Sequence, residues 1–211
     1  YIALMEKTVG ISKCNVIVSN RQVVLDGITH PVFYRSGLGD MYDKEKIMLS
    51  RNGEDALVQW PNKQPEVLDN GLKMFGVQSG NYGHWFLEYL PRMLAFDSDF
   101  CDESFSIVVD ANMPQSHLDS LSLLNSKKRP VVVLPVNTVV EFSRLAVAPV
   151  PAFFPLDVEE GVAYDAVWPS DIFSQLKAKI IEGLERENFV FSEKSTRLFL
   201  SRRGFSSRQL V

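Results

Sequence analysis

Over roughly the first 70 positions, short apolar runs alternate with turn-forming residues. "CNVIVSN", "QVVLDG", "HPVFYRSG" and "EDALVQW" follow one another, rich in β-branched and aromatic side chains and broken by Ser-Asn, Asp-Gly and Ser-Gly. Runs of this kind bounded by turn residues predict strands, so residues 1–70 read as a β-rich meander. From about residue 79 the pattern changes. "NYGHWFLEYL" reads as a helix, "SFSIVVDA" (104–111) as a short buried strand, and "PQSHLDSLSLLN" (114–125) as a helix with Pro114 near its first turn. "PVVVLP" (130–135) predicts another buried strand, and "TVVEFSRLAVAPV" (138–150) one or two more. In "PSDIFSQLKAKIIEGLEREN" (169–188) the apolar positions Ile172, Phe173, Leu176, Ile180 and Leu184 recur at the helical period of 3.6. "TRLFLSRRG" (196–204) predicts a strand that runs into a basic loop.

Strands and helices in alternation predict an α/β fold in which the meander is followed by a Rossmann-like doubly wound layer of parallel strands. The stretch "APVPAFFPLD" (148–157) reads as a structured connector, because Phe153 and Phe154 call for burial. "SGLGD" (36–40) holds a Gly-x-Gly, but Tyr42 stands where a dinucleotide fingerprint needs its third glycine, so it reads as a turn.

Composition narrows the function classes. Of 211 residues 45% are hydrophobic and 23% charged, as in a globular chain with a real core. The net charge of −4 offers no basic field for nucleic acid. No apolar run reaches the roughly 18 to 20 residues that span a bilayer. Cys14 and Cys101 form neither a disulfide framework nor a zinc motif, which fits a reducing, cytoplasmic setting. The chain starts at Tyr1 and stops at "SSRQLV" in mid-pattern, so it reads as a segment of a larger protein.

Two constellations carry candidate chemistry. In the first, Asn81 is a good N-cap, with Tyr82, Gly83 and His84 as the first turn. The positive end of the helix dipole disfavours an imidazolium at His84 and keeps the ring neutral. Glu88, four residues on, reaches one ring nitrogen from the same face. Such an oriented neutral imidazole suits a general base. The alternative is a capped core helix in which His84 packs and Glu88 is solvated. Trp85, Phe86, Leu87 and Leu90 are the expected anchors, and Pro91 predicts a kink. His30 and His117 stand in other segments and read as surface or turn residues. In the second constellation, "LFLSRRGFSSRQLV" ends an apolar strand in Arg202 and Arg203, followed by Gly204, Ser206, Ser207 and Arg208. Arginines at the carboxyl end of a strand grip phosphate oxygens well. A solvated basic turn is the alternative. The acidic run "DSDFCDE" (97–103) reads as a loop at a helix end rather than a magnesium site.

"NYGHWFLEYLPRM", followed by "RLFLSRRGFSSRQLV", resembles glycosyltransferase family 61, often labelled capsular polysaccharide biosynthesis protein. Asn81, His84, Trp85, Glu88, Pro91 and Arg92, then Ser201, Arg202, Arg203 and Arg208, fall on that family's motif positions, over roughly residues 75–211. Glu88 stands where many members carry Asp. The resemblance implies a GT-B-like architecture of two Rossmann-type domains, of which this chain holds the first half. Residues 71–168 would be the acceptor-side domain, and 169–211 a connecting helix with the start of a truncated donor-binding domain. It implies an inverting transferase that moves a sugar from a nucleotide-sugar donor to a saccharide acceptor, with no metal and no other cofactor. His84 and Glu88 would be the catalytic pair, and Arg202, Arg203 and Arg208 would hold the donor phosphates. Asn81, Trp85 and Arg92 would line or support the acceptor side. The chain alone is not expected to complete the reaction. The rival expectations are a non-catalytic carbohydrate- or nucleotide-binding module and an assembly domain of a polysaccharide-synthesis system.

Overall fold

The computed structural model describes residues 2–25, 48–52, 55–97, 101–152 and 169–189. A three-stranded antiparallel meander and a separate hairpin begin the described chain. β1 (Ala3–Ile11), β2 (Val16–Ser19) and β3 (Gln22–Leu25) form the first, and β4 (Met48–Asn52) and β5 (Asp55–Val58) form a separate two-stranded sheet. β6 (Glu66–Lys73) leads to a single helical turn, α1 (Tyr82–His84), a π-helical turn (Trp85–Tyr89) and α2 (Arg92–Phe96). Then come β7 (Ser106–Asp110), α3 (Gln115–Leu124), β8 (Val131–Leu134), β9 (Val139–Val147) and α4 (Ser170–Arg186).

Seven strands make one mixed sheet in the order β3-β2-β1-β9-β6-β7-β8. β9, β6, β7 and β8 are mutually parallel, whereas β1, β2 and β3 join through antiparallel pairing of β1 with β9. Residues 138–150 thus supply one strand, and it is the seam of the sheet. Glu66 pairs with Val140 on one side of β9, and Gly10 pairs with Val140 on the other.

The two faces differ. On one, Trp85, Tyr89, Leu90, Met93 and Phe96 of the helical segment pack with Leu121 and Leu124 of α3 and Leu176 of α4 over Leu72, Ile107 and Val109. The opposite face is filled by strand side chains, among them Ile17, Val108, Val140, Phe142 and Leu145. Register sets Leu68 beside Phe142, yet Phe75 beyond the end of β6 stacks on Phe142 with centroids 6.2 Å apart and meets Gly10 of β1. The Phe142 ring reaches along β6 because Gly71 has no side chain, and a Cβ there would lie 2.6 Å from that ring.

α3 and α4 cross at close range because Gly183 has no side chain. A Cβ there would lie 2.3 Å from the Leu123 carbonyl oxygen. Arg186 Nη2 donates to that same oxygen at 2.7 Å and so satisfies one of the free carbonyls at the end of α3.

Three expectations change. β8 is an edge strand rather than a buried one: Val131 and Val133 are 44% and 51% exposed, while Leu134 is buried. It lies last in the sheet, so one of its edges pairs with no described strand. In the helical segment Tyr89 joins Trp85 and Leu90 in the buried core, Phe86 packs against it part-buried, and Leu87 is only part-buried. The third is His117, which is fully buried rather than at the surface. It shares the inner face of α3 with Leu121 and Leu124, at helical spacing. Phe153, Phe154, His30 and "SGLGD" lie outside the described residues, as does the predicted strand 196–204.

Candidate functional site

Asn81 caps α1 as its sequence position predicts: its side-chain oxygen accepts from the Gly83 N–H at 3.0 Å. After His84 the ladder widens, and the Leu90 N–H donates to the Trp85 carbonyl, five residues back, at 2.7 Å. The physical cause is Pro91, which has no N–H to give and cannot continue the α pattern. The chain answers with a π-turn and then restarts at α2, with Pro91 as its cap residue. The change of ladder leaves the Glu88 carbonyl free for a side chain, and Arg92 Nε donates to it at 2.9 Å. Arg92 is buried, and its guanidinium lies over the Tyr89 ring, 4.8 Å from the centroid. Arg92 therefore supports the bend from within.

On the outer face of this bend, His84 Nδ1 and Glu88 Oε1 are 2.7 Å apart. Both side chains are about one-quarter exposed, 27% and 25%, so the pair is held but reachable. With the proton on Nδ1 donated to the carboxylate, the Nε2 lone pair is left for another partner.

Trp85 fixes the other side of the bend. It is fully buried, and its Nε1 donates to Ser120 Oγ at 2.9 Å while that hydroxyl donates to the His117 carbonyl at 2.7 Å. The His117 ring stacks on the indole with centroids 5.1 Å apart and planes 2° apart. Neither His117 nitrogen makes a hydrogen bond of good geometry. Burial holds its pKa below the ordinary histidine value, and the Ser79 backbone offsets this only in part. Tyr82, 59% exposed, packs against Phe86 at 4.7 Å.

Upstream of Asn81 the chain rests on a residue that the sequence reading passed over. Asp110, at the carboxyl end of β7, is buried and accepts three hydrogen bonds. Gly76 N–H and the Ser79 hydroxyl donate to Oδ2 at 2.8 and 2.6 Å, and the Lys13 N–H donates to Oδ1 at 2.6 Å. Burial pushes its pKa up, and these donors pull it partly back. Lys73, also buried, donates its Nζ to the Phe75 carbonyl at 2.7 Å, close enough to Asp110 to favour the carboxylate. The signal available in sequence was an acid closing the apolar run "SIVVD", where strands of a parallel layer point at a ligand crevice.

Other candidates separate from this site. Arg202, Arg203 and Arg208 lie outside the described residues. Of the acidic run 97–103, Asp97 stands 3.6 Å from the buried Arg129, and Asp102 is bonded to Ser104. Arg129 also donates to the Phe96 and Cys101 carbonyls, which makes this a structural clamp under α2. Among the described residues no three His, Cys, Asp or Glu side chains converge as a metal site. No described helix is long and apolar enough to cross a membrane. Comparison with protein-family models, with curated proteins and with solved structures found no match to this chain.

Proposed function

We propose that this chain is the acceptor-side portion of a metal-independent, inverting glycosyltransferase of GT-B-like architecture, acting in the synthesis of a surface polysaccharide. The observation that carries the reading is the His84–Glu88 pair, hydrogen-bonded at 2.7 Å and partly exposed on a bend that its own sequence motif builds. The order of the four parallel strands, with β9 and β7 on either side of β6, supports a Rossmann-like layer. Resemblance of the two motifs to glycosyltransferase family 61 supplies the reaction class.

In this mechanism His84 Nε2 takes the proton of the acceptor hydroxyl as that oxygen forms its bond to the anomeric carbon. The bond from that carbon to the donor phosphate breaks on the opposite face, and the electron pair leaves with the nucleoside diphosphate. Glu88 holds the Nδ1 proton and stabilises the imidazolium. Arg202, Arg203 and Arg208 take up the charge of the departing diphosphate. Positioned base catalysis contributes about 10²–10⁴-fold, and donors aimed at the leaving charge a factor of about 10²–10³.

The test uses the full-length protein with a panel of nucleotide sugars and oligosaccharide acceptors. His84→Ala is expected to abolish transfer while donor binding, read by thermal shift, stays within about twofold of wild type. Turnover retained by His84→Ala overturns the base assignment. Failure of every nucleotide sugar to bind or react overturns the transferase reading.

A further inference from the structure

We infer that Asp110 is a positioning residue, a buried carboxylate that fixes the loop 75–81 and through it the orientation of His84. The inference rests on the proposed transferase reading for its kinetic consequence alone; its structural content stands on contacts within the chain.

The loop between β6 and α1 has little regular structure of its own. Inside it are two turn bonds, Ser79 N–H to the Gly76 carbonyl at 3.2 Å and Asn81 N–H to the Gln78 carbonyl at 2.9 Å. Everything else that holds it comes from outside. One oxygen of Asp110 grips it twice, at Gly76 and at Ser79, and the other oxygen is tied to Lys13 in the β1–β2 turn. Asn15 of the same turn accepts from the Val77 N–H at 3.0 Å. Gly76 passes through a gap in which a Cβ would lie 2.2 Å from Asn15 Oδ1 and 2.5 Å from the Tyr89 hydroxyl. The loop is thus pinned between the β1–β2 turn and the π-turn, and its last pinned residue, Ser79, stands two positions before the cap Asn81.

A buried carboxylate is an unfavourable way to hold a loop unless donors surround it, because burial strips it of water. Apolar contacts would pack the same space at less cost but would not set the direction of three N–H and O–H groups. Direction is what a base at the start of a short helical turn requires, since a misplacement near 1 Å costs about 10²-fold in rate. Asp110 lies on the sheet and His84 beyond the loop, so it acts through the chain rather than on substrate.

Two variants of the full-length protein test this. Ser79→Ala removes one bond to Asp110 without changing charge. Asp110→Asn keeps the shape but turns an N–H donor against Lys13 or against Gly76 and Ser79. Expected are faster amide exchange at Gly76, Val77 and Ser79 with α3 unchanged, and a shift of the His84 ring nitrogens in ¹⁵N spectra. In the transfer assay kcat falls about 10- to 100-fold with KM for the donor within about twofold. Unchanged His84 signals and an unchanged kcat in Ser79→Ala overturn the inference, as does a loss of activity that only tracks the unfolded fraction. Should the protein transfer no sugar, the exchange and ¹⁵N readouts still decide the role of Asp110.

Discussion

The imidazole of His117 lies flat against the indole of Trp85, 5.1 Å between centroids and 2° between planes, with no solvent access to either ring. A buried histidine so placed couples the site helix to pH. Burial depresses its folded-state pKa, whereas in the unfolded chain it titrates near 6.5. The unfolded state therefore binds the proton more tightly. The stability contributed by neutral His117 is complete above about pH 6.5 and is lost as pH falls towards the depressed folded value. His117→Phe keeps a stacking ring and removes the titration. Urea unfolding at a series of pH values should show a flatter profile for this variant below about pH 6.5; parallel profiles would refute the coupling.

At Gly183 two effects of opposite sign compete. Glycine inside a helix costs about 1 kcal/mol relative to alanine, so Gly183→Ala should stabilise α4 taken alone. In the folded chain the new methyl meets the Leu123 backbone at 2.3 Å, and backbone cannot swing aside. The crossing must widen, which costs about 1–3 kcal/mol beyond that gain. A lower urea midpoint with unchanged m-value is the expected result.

Ser120 accepts the only polar group of a fully buried indole. Ser120→Ala leaves that N–H without a partner and should cost about 1–3 kcal/mol. Adding Trp85→Phe removes the donor as well, so a double-mutant cycle should show coupling between the two positions. Additive losses would mean the bond carries little.

Glu88→Gln separates orientation from charge. The amide oxygen can still accept from His84 Nδ1 across the same distance, but it no longer stabilises an imidazolium. Under the proposed mechanism kcat falls about 10²-fold or more while donor affinity holds. Equal loss in kcat and in donor binding would count against Glu88 as a catalytic partner.

Much of the site helix was legible because it depends on near neighbours. The Asn81 cap, the i, i+4 contact between His84 and Glu88, and the break at Pro91 are consequences of spacing along one stretch of chain. The amphipathic pattern of residues 169–188 likewise gave α4 within a residue or two at each end. What spacing does not contain is register between distant segments. β1 pairs with β9 from Ile11–Val139 to Ala3–Val147, 128 to 144 positions apart, and no local pattern foretells which strand of a meander joins a parallel layer. Asp110 was overlooked for the same reason: its three donors come from two segments remote in sequence. His117 is different. Its spacing to Leu121 and Leu124 marks an inward position, so its burial is legible in the local period.

The π-turn at Trp85–Tyr89 has a consequence for how such a site can arise or vanish. It amounts to one residue more than a regular helix would hold between α1 and α2. Removing a single residue there, such as Leu87, would close the ordinary ladder without rotating the flanking turns, yet it would bring Glu88 to three positions after His84 and reset the contact between them. His84, Glu88 and Arg92 would survive in the sequence, while the four-residue spacing of the pair and the free Glu88 carbonyl that Arg92 uses would not. Chain length over these five positions sets how His84 meets Glu88, as much as the residues that fill them do.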